Sequence, residues 1–219
     1  MTQSPASGYP MPTPASLPAD GPRWHLDPGR SVLLVQHLQN YLLRSLREQA
    51  PVPQLLAHVA GLTGSARAAG VPVVYVVRGP GQPAPTRQDA RGPALPEPPA
   101  ESEGRSVAHL VQPQTGDMVF TAKQHSAFAR TRLGARLREL GRDQLVLVGA
   151  LARTDVLLTA ADGRKEGLYP FVVADALIDR TRDHHDMAVR RLAGTCAAVT
   201  VTDSVVTAFA ADTTRSAAV

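Results

Sequence analysis

The chain has 219 residues, enough for one α/β domain with a substantial core, and its hydrophobic fraction of 43% is ordinary for a globular protein. Its 23 Lys and Arg against 19 Asp and Glu leave a formal charge of +4, yet there is no five-residue basic run and no aromatics lie among the basic residues, so the footprint of a nucleic-acid binder is missing. A single cysteine, Cys196, excludes an intramolecular disulfide, no apolar run approaches the ~18 residues of a membrane span, and no signal-peptide pattern opens the chain; the expected compartment is the cytoplasm.

Residues 1–22, rich in Pro, Ser and Ala, read as an extended N-terminal arm, loosely held or laid over a neighbour. "SVLLVQHLQNYLL" follows, with Val32–Val35 as a short buried strand and Gln36, His37 and Gln39 at its lip. "PVPQLLAHVAGLTGSARAAG" reads as a helix with Leu55, Leu56, Val59 and Leu62 on one face and Gly70 near its end. "VPVVYVV" is the next strand. Residues 79–106 are Pro-rich and too long for an ordinary connection, which predicts a lid or specificity loop.

Beyond it "DMVFTA" reads as a strand, and "SAFARTRLGARLRELG" as a helix with Ser126 as N-cap, Leu133, Leu137 and Leu140 as core, and Gly141 as stop. "QLVLVGA" is a strand, "TDVLLTAADGRKEG" a helix, "YPFVVAD" a strand, "RDHHDMAVRRLAG" a helix and "AAVTVTD" the last strand, leaving 208–219 as a C-terminal tail. This alternation predicts one α/β domain over 23–207: three layers around a doubly wound, mostly parallel six-stranded sheet. Such sheets bind ligands beyond the carboxyl ends of their strands. Those ends carry Gln36, His37 and Gln39, then Arg78, then Lys123 and His125, then Leu151, Arg153 and Asp155, then Asp175.

At these residues the chain resembles the isochorismatase-like hydrolase family, closest to the branch acting on isochorismate or 2-amino-2-deoxyisochorismate. "YPMPTPASLPADGPRWHLDPGRSVLLV" is similar to that branch's arm and first strand, "SAFARTRLGARLRELGRDQLVLVGALA" to its central helix and strand, and "PFVVADALIDRTRDHHDMAVRRLAGTCAAV" to its final third. The resemblance implies a Rossmann-like sheet, a homodimer, a small-molecule substrate and cofactor-free release of pyruvate from a vinyl ether. It also implies an Asp at the end of the first strand as acid, a supporting Lys after a later strand, and, in the wider family, a Cys nucleophile. The branch's Val-His-Asp-x-Gln reads here Val35-Gln36-His37-Leu38-Gln39, so His37 stands at the Asp position. Ala122 stands at the Lys position with Lys123 one residue later, Asp155 stands at the nucleophile position, and Arg78 replaces a substrate-binding Gln.

Read together, these replacements point to a His37–Asp155 acid–base pair, an imidazole oriented by a carboxylate. Lys123 is a further catalytic candidate if its side chain turns inward, although alternate residues of an extended segment face opposite sides. Gln36, Gln39, Arg78, Arg87, His125, Leu151 and Arg153 are candidates for substrate contact, the arginines because a guanidinium grips a carboxylate bidentately. Cys196 reads as a small buried hydrophobe. His184 and His185 point about 100° apart on a helix, a poor metal pair, so no metal is expected, and the resemblance implies no cofactor. Three functions stay open on the residues: altered hydrolysis, elimination, isomerisation or cyclisation of a small anionic or cyclic metabolite of secondary metabolism; a non-catalytic binding or scaffold protein; and the branch's own vinyl-ether hydrolysis.

Overall fold

The computed structural model describes residues 8–79, 99 and 102–216. Six parallel strands form one sheet: β1 (Ser31–Gln36), β2 (Val73–Arg78), β3 (Met118–Ala122), β4 (Gln144–Ala150), β5 (Tyr169–Ile178) and β6 (Ala198–Thr200), in the order β3-β2-β1-β4-β5-β6. The helices are α1 (Asn40–Leu46), α2 (Val52–Ala68), α3 (Ser102–Arg105), α4 (Leu133–Glu139), α5 (Leu157–Lys165), α6 (Arg182–Thr195) and α7 (Thr202–Ser216). None of the described helices is long and apolar enough to cross a membrane.

Period-two alternation in β1 sorts the core. Leu33 and Val35 face one way, into a cluster with Leu55, Val59 and Leu62 of α2 and Val205 and Phe209 of α7. Val32 and Leu34 face the other, with Leu133 and Leu137 of α4, Ala160 of α5 and Leu192 of α6. Both faces are covered, which is why the central strands are buried at every position and their middles are continuously apolar rather than alternating. α2 stops where its sequence says: Val71 N–H reaches back to Ala66 O (2.8 Å) and Gly70 N–H to Arg67 O (3.1 Å), with Gly70 at φ +66. α4 and α5 end in the same way at Gly141 and Gly167, each launching the chain toward the next strand.

Three expectations need correction. The helix expected from Ser126 begins at Leu133; before it, Ser126 closes a turn by accepting from Phe128 N–H (3.3 Å). The stretch assigned to a tail is helical to Ser216, because Val205 and Phe209, one turn apart, anchor α7 on the sheet. α1 went unread, since seven residues, about two turns, directly after a strand give too little periodicity to separate them from the strand's continuation. Most of the expected lid over 79–106 lies outside the described residues; its end returns through α3 to pair Val107 with Gln39.

The arm is fastened to its own chain from Gly8 onward. The Tyr9 hydroxyl accepts from Asp179 N–H (2.9 Å) and lies 3.0 Å from His185 Nδ1. The Nε2–H of His185 donates to Ala174 O (3.0 Å), so Nδ1 is the acceptor and Tyr9 donates to it. His185 is fully buried, and desolvation lowers its pKa against the opposing pull of the Ala174 carbonyl and of Asp186, Asp179 and Asp175.

The native state therefore resists a proton on His185 that the unfolded chain accepts. Its contribution to stability is complete above the ordinary imidazole value and is lost as pH falls below it, with a slope of at most about 1.4 kcal/mol per pH unit. The urea midpoint is expected to fall from pH 7 to pH 5, and less steeply in His185→Gln. A second expectation concerns Gly149 (φ +130), where a Cβ would sit 2.1 Å from Gln36 O of the paired strand. Gly149→Ala should destabilise by more than the about 1–3 kcal/mol of backbone strain alone, because β1 and β4 must separate; urea unfolding measures it.

Candidate active site

The strand order reverses between β1 and β4, and their carboxyl ends make the crevice where doubly wound sheets bind ligands. Both chains leave that crevice in left-handed conformation: His37 at φ 56 after β1, Leu151 at φ 65 after β4. Such geometry costs a non-glycine residue roughly 1–2 kcal/mol, and here it turns both segments into the site. After Leu151 comes a π-helical turn, Ala152–Val156, in which Thr154, Asp155 and Val156 N–H all aim at Leu151 O (3.3, 3.0 and 3.3 Å). This turn carries Asp155 under the end of β1.

His37 and Asp155 meet as expected. His37 Nε2 lies 2.9 Å from Asp155 Oδ2, with both side chains at 0% exposure. The contact is short but off the line of a hydrogen bond, and His37 Nδ1 has no partner among the described residues. The other oxygen, Oδ1, is 2.7 Å from Nδ1 of His125, in good hydrogen-bond geometry. Arg78 Nη1 stands 3.9 Å from Oδ2. Burial alone would push the Asp155 carboxyl up; His125, His37 and the charge of Arg78 more than offset this and hold it well below the usual carboxylate range. An ionised carboxylate only accepts, so Nδ1 of His125 carries the proton.

The His125 side chain is 36% exposed and lines a cleft of about 420 Å³ with Arg78, Lys123, Ser126, Leu158 and Asp162. The cleft's cations face one acid: burial raises the Asp162 carboxyl, but Ser126 and Lys165 hold it below its ordinary value. Lys123 is exposed on this wall, and among the described residues no hydrogen bond or ion pair joins it to Asp155, His37 or His125.

Gln36 and Gln39, expected against substrate, are turned inward by their own hydrogen bonds. Gln36 Nε2 donates to Thr159 Oγ1 (3.1 Å) and His125 O (3.3 Å), fixing the segment that carries the imidazole. Gln39 accepts from Arg78 N–H (2.7 Å) and donates to Arg78 O and Arg105 O (3.0 Å each), staking the end of β2 beside β1. Leu151 is buried and serves by its backbone. Arg153 N–H donates to Asp179 Oδ2 (2.7 Å), and its side chain is not on the cleft wall. Arg87 lies outside the described residues. Cys196 is partly exposed at the end of α6, beside the Thr195 hydroxyl.

Thr159, Leu158, Asp162 and Asp179 escaped the sequence reading. The first three had a signal: with Asp155 they fall at i, i+3, i+4 and i+7, one face of a helix. Asp179 had none, because it meets the π turn from the end of a neighbouring strand.

An isochorismatase domain model matches residues 31–204. The chain is 38% identical over 205 residues to the phenazine biosynthesis protein PhzD of Pseudomonas fluorescens, covering 90% of this chain and 95% of that one. It is 36% identical over 201 residues to the isochorismatase of Bacillus subtilis, covering 90% and 63%. Among solved structures, the cysteine hydrolase of Pseudomonas syringae pv. phaseolicola superposes with a TM-score of 0.74 at 19% identity, over 86% of this chain and 96% of that one. An isochorismatase family protein of Burkholderia thailandensis gives 0.73 at 25% identity, over 84% and 97%. The family model spans most of the chain and these relatives cover 90% of it, so the chain belongs to the isochorismatase family of hydrolases.

Proposed function

We propose that the chain is a hydrolase or lyase of secondary metabolism that performs cofactor-free acid–base chemistry on a small cyclic carboxylate, with His125 as the group that touches substrate. One observation carries this reading: the ionised Asp155 is contacted by two imidazoles, and only His125 opens onto the cleft. Substrate cannot reach a fully buried His37, so the acid–base work moves from the expected His37–Asp155 pair to His125–Asp155.

Asp155 fixes the His125 tautomer and stabilises the imidazolium formed when Nε2 takes a proton. Nε2 then either returns that proton to a leaving oxygen or a ring carbon, or, starting neutral, activates water. Arg78 and Lys123 supply the positive wall for the substrate's carboxylate, and Leu158 and Ala129 the apolar surface for its ring. His37 packs behind Asp155, its Nε2 2.9 Å from Oδ2.

His125→Ala should lower kcat about 10²–10⁴-fold with little change in folding, and Asp155→Asn by a similar factor together with a loss of stability, whereas His37→Asn should lower kcat less, since His37 holds no proton in contact with substrate. Turnover of ring-bearing carboxylates followed by mass spectrometry reads these ratios; full activity in both His125→Ala and Asp155→Asn ends the assignment.

A second reading, hydrolysis of the vinyl ether of isochorismate or its 2-amino-2-deoxy analogue, is favoured by the 38% identity to a phenazine biosynthesis protein. There His125 would protonate the enol ether carbon in place of the family's Asp. It predicts pyruvate from one of these two compounds in a lactate dehydrogenase-coupled assay. No pyruvate from either would leave the elimination or cyclisation forms of the first reading.

A further inference from the structure

The start of the π turn that carries Asp155 lacks a cap of its own. Leu151, its N-cap residue, has no side-chain acceptor, and the first amides of any helical turn have no partner within it. The acceptor comes from across the sheet. Asp179, directly after β5, takes Arg153 N–H on Oδ2 and Arg180 N–H on Oδ1, each at 2.7 Å. Its carboxylate is 3% exposed and sits where an N-terminal helical dipole favours negative charge. The last rungs of the β4–β5 ladder, Gly149 with Leu177 and Ala150 with Ile178, bring Leu151 and Asp179 side by side.

Asp179 is itself held from the far side. Its backbone N–H donates to the Tyr9 hydroxyl (2.9 Å) and its carbonyl lies 3.3 Å from that oxygen, so the arm closes a ring on this one residue. Hydrogen bonds and the short backbone stretch Arg153–Asp155 between them thus connect Tyr9, through Asp179 and Arg153 N–H, to Asp155 Oδ1 on His125.

We infer that Asp179 is a positioning residue for the Asp155–His125 pair, and that the N-terminal arm belongs to the catalytic apparatus through the clamp of Tyr9 on Asp179. Leu151 in left-handed conformation is a pivot, and the Asp179 acceptor stops the turn rotating about it. Without that acceptor, the Asp155 carboxylate moves off the Nδ1–H of His125 while the core beneath is untouched.

The inference rests on the His125–Asp155 reading, and its test separates the two. The readout is the ¹⁵N signal of His125 Nδ1 at pH 7, assigned by its absence in His125→Gln. Asp155→Asn defines the signal with the ionic contact broken. Asp179→Ala is expected to move the signal at least half of the way to that value, Asp179→Asn, which keeps one acceptor, by less than half, and Tyr9→Phe in the same direction. A folded Asp179→Ala with the wild-type signal overturns the inference. If the alanine variant does not fold, wild-type signals in both Asp179→Asn and Tyr9→Phe overturn it. Activity that survives Asp155→Asn would instead sink the proposed chemistry and leave this coupling standing.

Discussion

The structure is organised around one costly object, an ionised carboxylate with no exposure to water. Placing Asp155 at 0% exposure would cost several kcal/mol if it were unpaired. It is tolerated because two imidazoles and a guanidinium close around its oxygens. Each partner arrives from a different part of the chain: His37 from the end of β1, Arg78 from the end of β2, His125 from the segment after β3. The carboxylate therefore ties together the segments that follow β1, β2, β3 and β4. The same closure decides the chemistry, because only one of its two imidazoles also faces the cleft.

Two further features follow from the need to bring that carboxylate there. Left-handed residues at His37 and Leu151 turn the chain sharply at the two strand ends, and Gly149 lets β4 approach β1 closely enough for both to converge. The polar residues beneath the site are spent on geometry rather than on substrate. Thr159 accepts from both Gln36 and the amide of Ala127, and Gln39 bridges Arg78 to Arg105. A glutamine at a strand's lip resembles a ligand contact in sequence, yet a buried amide is first of all an obligation to be hydrogen-bonded.

The layers of the fold were legible because they rest on local periodicity. Continuous apolar runs such as Val32–Val35 and Leu145–Ala150 can only be central parallel strands, and Leu55, Val59 and Leu62 mark the inner face of a helix between them. Gly70 and Gly141 announced helix ends by a conformation that side chains resist. The reading failed where local preference was overruled or too short: the turns before Leu133, the seven-residue α1, and α7 beyond residue 207. For the site, the meeting of positions 37 and 155 followed from the resemblance, since two replaced positions of one pocket must still face each other.

The sequence by itself determined the alternation of strands and helices, the polar inventory at the strand ends and the family, because these depend on spacing along the chain. The roles of the site residues were decided by the tertiary structure alone. Whether an imidazole sees solvent depends on which segments cover it, and His37 and His125 are indistinguishable as letters. Only the packed chain buries the first, opens the second onto a cleft, and sets Asp179 from the end of β5 against the turn that holds Asp155 between them.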